Sequence, residues 1–409
     1  MNQKDRERLR YLASKQLEIA NSPKNLKRVA LWKRHHALKG ERPPIHIEID
    51  TFAHEIIDPQ LRCEDPTARS IEYELIKNVA NIDLFNDDKV VPPYFQTGFN
   101  TWFRLFGQTM QSEQLKNDNG TALGIKREYV IDDLAECMDI IRTKSEYGLD
   151  KAGTQNWINI LNDIFGDILP VRLISNCLYA VPTQMVVYLM GMENMLYAMY
   201  DYPDEFKEMM NKIADDYIEY FKFLENESAI LQTNSFEFLG QGSMCFWEEE
   251  TKDIVRTEDV WGFMDSQETV SISPDMYKEF IYPCYKKISD IYGRLSYGCC
   301  EPIDPVWEYV KTFKNLKKVS VSPWCNEEYM AEQLKGSGII YHRKPNPTFL
   351  GVGATLDEEA FRQHIEKSLL VAKGCKMEIT QRDVYTINRD LNKVKRYVDI
   401  IRESIDKIW

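Results

Sequence analysis

From about residue 258 to its end the chain alternates strand-like and helix-like stretches about four times, and this rhythm constrains the fold more than any other feature. The strand-like segments are VWGFMDS (260–266), GRLSYG (293–298), LKKVSVSP (316–323), GIIYHRKP (338–345) and CKMEIT (375–380). Between them lie helical stretches with recognisable ends. Ser273 and Pro274 open one, Asp304 caps another, Gly336 closes a third, and Thr355 to Glu358 forms a capping-box pattern. NRDLNKVKRYVDIIRESIDKIW is the last helix. Strand then helix, repeated, is the signature of a parallel sheet with crossover helices.

The first half supplies the remaining strands. PPIHIEID (43–50), VVPPYF (90–95) and ILPVRLI (168–174) read as strands, with the helical period of IEYELIKNVANI between the first two. Eight strands result, near 43–50, 89–95, 168–174, 258–265, 293–299, 316–322, 338–344 and 376–381. The fold class is α/β, and the expected architecture is a closed (β/α)8 barrel. Residues 1–42 form an N-terminal helical extension and 43–409 the barrel, with 97–165 an insertion or lid. The run LWKRHHALKG reads as a solvated cationic helix end, with His35 and His36 in water and Gly40 as the cap. The stripe of Phe206, Met209, Met210, Ile213, Tyr217, Tyr220, Phe221 and Leu224 reads as core.

Bulk properties exclude several classes of partner. The 409 residues carry a net charge of −13, which disfavours phosphate backbones and anionic lipid, so neither nucleic acid nor membrane is an expected partner. Nine cysteines, an odd count at irregular spacing, fit free thiols in a cytoplasmic protein better than a disulfide framework. No secretory h-region, membrane span, GxGxxG or P-loop is present.

In such a barrel, chemistry sits where the strands end. Those ends carry His46, Glu48 and Asp50 on strand one, and Asp265, Gln267 and Glu268 on strand four. Strand five brings Tyr297, Cys299, Cys300 and Glu301; strand six, Trp324 and Cys325; strand seven, His342, Arg343, Lys344 and Asn346. Strand eight ends in Glu378, Gln381, Arg382 and Asp383. Neighbours on a regular strand face opposite ways, so Cys299 and Cys300 can share a ligand only if the chain kinks, and Gly298 is placed to supply that kink. Zinc held by Cys299 with Cys300 or Glu301, completed by His342 or Asp383, stands against a purely structural turn.

The stretches DSQETVSISPDMYKEFIYPCYKKISDIYGRLSYGCCEPID and GMENMLYAMYDYPDEFKEMMNKI resemble the uroporphyrinogen decarboxylase superfamily, over about 160–390. That resemblance implies the barrel and a homodimer. The arginine-rich segment of the true decarboxylases is replaced here by HIEIDTFAHEI. The corrinoid-dependent methyltransferase branch is therefore the nearer likeness. Some of its members hold zinc with a His-x-Cys pair after strand five and a cysteine after strand eight. Here Tyr297 stands at the histidine, Cys299 matches the first cysteine, and Gln381-Arg382-Asp383 lacks the last. The implied function is methyl transfer from a small methoxy- or methylamine-type donor to a corrinoid-binding partner protein. In that reading Cys299, Cys300 and Glu301 are metal ligands. Asp265, Glu268, His342 and Asp383 move protons or orient substrate, and His46, Asp50, Tyr297, Trp324, Arg343 and Arg382 bind it. The competing expectations are a decarboxylase or lyase that clamps a small acid with Arg343 or Arg382, and a non-catalytic binding protein.

Overall fold

The computed structural model describes residues 1–116 and 122–409. Its centre is a seven-stranded parallel sheet: β1 (Ile45–Ile47), β2 (Leu178–Ala180), β3 (Trp261–Met264), β4 (Arg294–Tyr297), β5 (Leu316–Val321), β6 (Ile340–Arg343) and β7 (Lys376–Gln381). The spatial order is β1-β7-β6-β5-β4-β3-β2, every neighbour parallel. β3, β4 and β6 are buried along their whole length, as parallel strands covered by helices must be.

The expected closed barrel is not what the backbone ladder forms. All eight strand positions are occupied, but the second strand begins later than predicted, at Phe95, after Pro92 and Pro93. Proline cannot donate to a ladder, so pairing with β1 stops there. Phe95–Gly98 pairs instead with Val171–Ile174, a separate parallel couple. Among the described residues, β1 and β2 are the two free edges of the main sheet.

A short antiparallel hairpin, Phe238–Gly240 with Ser243–Met244, reaches into the sheet's polar face. Its turn residues Gly240, Gln241 and Gly242 all have positive φ. A Cβ on Gly242 would lie 2.4 Å from Thr380 Cγ2 on β7, so only glycine lets the tip approach this closely. The carbonyl of Gly242 accepts a hydrogen bond from His46 Nδ1.

The N-terminal extension consists of α1 (Gln3–Ala20) and α2 (Pro23–His36). The end of α2 is not solvated as the charge pattern suggested. His35 and His36 are each 2% exposed. His35 Nε2 donates to Glu378 Oε2 at 2.9 Å, and Lys318 Nζ donates to His36 Nε2 at 3.2 Å. Lys318 also contacts both Glu378 oxygens at 2.9 Å, and Ser243 Oγ donates to Glu378 Oε1 at 2.6 Å. The helix stops at His36, and Leu38 rather than Gly40 takes the left-handed conformation. Two further helix ends differ in detail or agree. The helix Glu358–Val371 is capped by Asp357, not Thr355. The aromatic and methionine stripe of Pro203–Asn226 is core as expected, with Tyr220 only partly buried.

Burial by itself would push the Glu378 carboxyl up, but Lys318, His342 and His35 outweigh it and hold it well below the usual range. Glu378→Gln leaves Lys318 as an uncompensated buried cation and is expected to cost about 3–5 kcal/mol in urea unfolding. Burial also lowers His35, and His36 further, below the ordinary imidazole value. The unfolded chain then takes up protons first, so stability falls as pH drops below about 6.5. Glu378's own contribution is lost only at lower pH, as its depressed folded value is crossed. A His36→Gln variant, which cannot take up that proton, is expected to flatten the upper part of the profile in pH-resolved urea titrations.

Candidate active site

The carboxyl ends of β3, β4, β5 and β7 converge on a mouth above the sheet. β3 runs into Asp265 and Ser266, and β4 into Gly298, Cys299, Cys300 and Glu301. Gly298 has φ +97, and a Cβ there would meet Ile303 Cδ1 at 2.4 Å. This left-handed break ends the strand's alternation and swings both thiols to one side, their sulfurs 3.3 Å apart. Cys300 Sγ donates to Asp383 Oδ2 at 3.1 Å and Cys299 Sγ to Gln241 Oε1 at 3.0 Å. Lys344 Nζ donates to the Cys299 carbonyl at 2.8 Å, and Arg382 Nη1 lies 3.5 Å from its sulfur.

Two cavities meet over Cys300. One, of about 540 Å³, is lined by Val187, Met192, Gln267, Glu268, Val270, Cys300, Glu301, Pro302 and Trp324. The other, of about 330 Å³, is lined by Gln267, Cys300, Trp324, Lys344, Arg382, Asp383 and Tyr385, with three prolines. Glu268 is the carboxyl in the first cavity; it accepts from Thr183 Oγ1 at 2.8 Å, and burial raises it above the ordinary glutamate value. Asp265 lies beneath, 1% exposed, with Oδ1 lacking any hydrogen-bond partner. Burial, followed by the nearby Glu301, Cys299 and Glu268, pushes its carboxyl well above the normal range against the pull of Lys344. Its hydrogen bond with Cys300 and then burial raise the Cys299 thiol, so it stays protonated.

Glu301, expected as a ligand, turns the other way. Its Oε1 accepts from Ser266 N at 3.0 Å and its Oε2 from Cys299 N at 2.8 Å, so it ties the ends of β3 and β4 together. Among the described residues no three His, Cys, Asp or Glu side chains are arranged to hold a metal ion. The expected set of Cys299, Cys300 and Glu301 therefore does not fit zinc as it stands, although the thiol pair and Asp383 do come together.

Strand alternation moves other expected residues away from the mouth. His342 faces the sheet interior, where its Nε2 meets Thr380 Oγ1 at 2.9 Å; it belongs with Lys318 and Glu378, and its role as a proton carrier at the rim fails. Arg343 faces the helical layer and is bound by Glu327 at 2.6 Å, the Ser322 carbonyl at 2.8 Å and Ser368 at 3.2 Å. Tyr297 is sealed between Ser266 and Tyr277, its hydroxyl 2.7 and 2.8 Å from theirs. None of these three lines either cavity of the mouth. Arg382 is at the mouth but forms an ion pair with Glu48 at 3.1 Å, so it is not a free carboxylate clamp. His46 and Asp50 line a different cavity, of about 190 Å³, with the hairpin turn. His364 is half-buried against Arg343.

Trp324, 64% exposed, and Asp383 do border the mouth, as do Glu268 and Cys300, with Cys299 buried behind Cys300. Lys344 and Glu48 lay among the strand ends in the sequence without a role. Gln241 carried no sequence signal beyond its flanking glycines.

No protein-family model matches the chain, and no curated protein matches it. Among solved structures, a methyltransferase from Methanosarcina mazei aligns over 92% of this chain and 97% of its own length, with 11% identity and a TM-score of 0.49. Among the described residues no helix is long and apolar enough to cross a membrane.

If Glu301 is a strut between two strands, Glu301→Ala orphans two buried N–H groups at about 1–3 kcal/mol each. Urea unfolding of metal-free protein should show that loss in full, whereas Trp324→Ala should stay within about 0.5 kcal/mol of the parent.

Proposed function

We propose that the mouth is the active site of a methyltransferase that moves a methyl group from a small methoxy- or methylamine-type donor to a cobalt corrinoid on a partner protein. One observation carries the reading. Glu268, a carboxyl with a raised pKa, lines a largely apolar cavity of about 540 Å³ at the carboxyl end of a parallel sheet. The sequence resemblance supplies the reaction class. The seven-stranded parallel sheet, with the Phe95–Gly98 and Val171–Ile174 couple as a separate pair, is the frame on which the mouth is built.

A methyl group on oxygen or nitrogen departs from a strongly basic leaving atom, so the transition state needs a proton at that atom. Glu268 is the group placed to give it. Val187, Met192, Val270 and Trp324 form the apolar wall against which a methyl-bearing substrate packs and from which water is displaced. Burial disfavours charge on the Asp265 carboxyl beneath the floor, which limits negative charge opposing the electron-rich leaving group. Asp383 and Lys344 border the adjoining cavity and orient polar substituents. A reduced corrinoid supplies the nucleophile when its carrier docks at the open side. The donor loses its methyl group and gains the Glu268 proton. No step is assigned to zinc, because Glu301 is bound to two backbone N–H groups and His342 lies in the sheet interior. The decarboxylase or lyase alternative loses its clamp, since Arg343 and Arg382 are both committed elsewhere.

The test is methylation of cob(I)alamin from a panel of methoxylated compounds and methylamines, followed by absorbance. Activity is expected to fall as pH rises through the raised Glu268 value, since the acid must be protonated. Glu268→Gln should lose about 10²–10⁴-fold in rate. Failure of every donor in the panel to methylate the corrinoid would refute the assignment.

A further inference from the structure

The proposed reaction makes no use of the fact that Cys299 and Cys300 adjoin both in sequence and in space. Their sulfurs are 3.3 Å apart, and each thiol holds a different piece of the mouth. Cys299 donates to Gln241 Oε1 at 3.0 Å, at the tip of the inserted hairpin. Cys300 donates to Asp383 Oδ2 at 3.1 Å, in the loop that follows β7. Asp383 takes φ +60, a left-handed conformation that aspartate adopts more readily than most residues. The two sulfurs differ in access. Cys300 lines both cavities, while Cys299 is 4% exposed and lies behind it.

We propose that Cys299 and Cys300 form a redox latch: as a dithiol they fasten the hairpin tip and the rim loop, and two-electron oxidation to a vicinal disulfide releases both. The oxidant is a hydroperoxide. The Cys300 thiolate attacks its outer oxygen, the O–O bond breaks, and Cys300 becomes a sulfenic acid while one molecule of water (from hydrogen peroxide) is formed. The Cys299 sulfur then attacks the Cys300 sulfur. The S–O bond breaks, and the oxygen leaves as a second water with the Cys299 proton. Each cysteine has lost one hydrogen, and the peroxide has been reduced to two waters. The sulfurs need only close from 3.3 Å to about 2.0 Å. The product has no S–H, so Gln241 and Asp383 both lose their donor. Gln241 Oε1 is then left with Lys344 Nζ at 3.5 Å, a weak contact. The latch does not depend on which group the site transfers, and neither of its readouts is activity.

The full-length protein, reduced or treated with hydrogen peroxide, is alkylated, digested and weighed without reductant. The peptide that contains both cysteines should have lost two hydrogens and resist alkylation, and dithiothreitol should restore it. Hydrogen exchange over 238–244 and 382–385 should become roughly fivefold faster on oxidation, the effect of about one net hydrogen bond. Gln241→Ala should show the faster hairpin exchange already in the reduced protein, and Cys300→Ser should show no peroxide response. The proposal is overturned if peroxide carries Cys300 to the sulfinic acid while Cys299 stays alkylatable. It is equally overturned if the disulfide forms and exchange at both segments is unchanged.

Discussion

A fully buried ion pair, Lys318 with Glu378, sits inside the sheet and decides how the pieces around it assemble. Two opposite charges out of water need close contact and further hydrogen bonds to offset their desolvation. Here those bonds come from two separate parts of the chain, His35 and His36 at the end of α2 and Ser243 on the hairpin, while β5 and β7 carry the pair itself. The N-terminal helices are thereby joined to the sheet, although by charge they read as a surface appendage.

The same polar interior explains why the hairpin can enter the sheet at all. A strand of apolar side chains would be repelled by Lys318, Glu378, His46 and Thr380. The hairpin instead brings a serine hydroxyl, a glycine carbonyl and a glutamine amide, and two glycines at a turn that admits no Cβ. Gln241 accepts from Cys299, which ties the hairpin tip to the strand end behind the mouth. Mouth, interior network and hairpin are one connected set of contacts, so a change at the thiols has a physical route to the hairpin.

Much of this was legible beforehand, and the failures have specific causes. Six of the seven strands of the main sheet and most helices follow from periodicity and caps, whereas Leu178–Ala180 was not among the expected strands. The place of the mouth follows from where parallel strands end. Cys299 was expected beside Cys300 or Glu301, with His342 or Asp383 completing the group; the kink at Gly298 brings the two thiols together with Asp383 against Cys300, while Glu301 and His342 are bound elsewhere. His342, Arg343 and Tyr297 were misplaced because residue type was weighed above strand alternation. On β6, His342 in, Arg343 out and Lys344 in is the pattern the alternation requires, and it would have selected Lys344. His35 and His36 were misread because the cationic run around them suggested water. Trp32, His35 and His36 at i, i+3 and i+4 form a buried face, and that spacing was the available signal.

Local chemistry along the chain was enough to determine the elements: glycine at a left-handed break, proline where a ladder must stop, caps where helices begin, alternation within strands. Those depend on interactions a few residues long. Which groups become partners was decided only by the tertiary structure. Glu301 could have been a ligand or a strut, and two backbone N–H groups 35 and 2 residues away made it a strut. Ser243 and Glu378 are 135 residues apart, and His35 and Glu378 are 343 apart. Contacts over such distances follow from burial and desolvation of the whole fold, for which no short stretch of sequence carries a pattern.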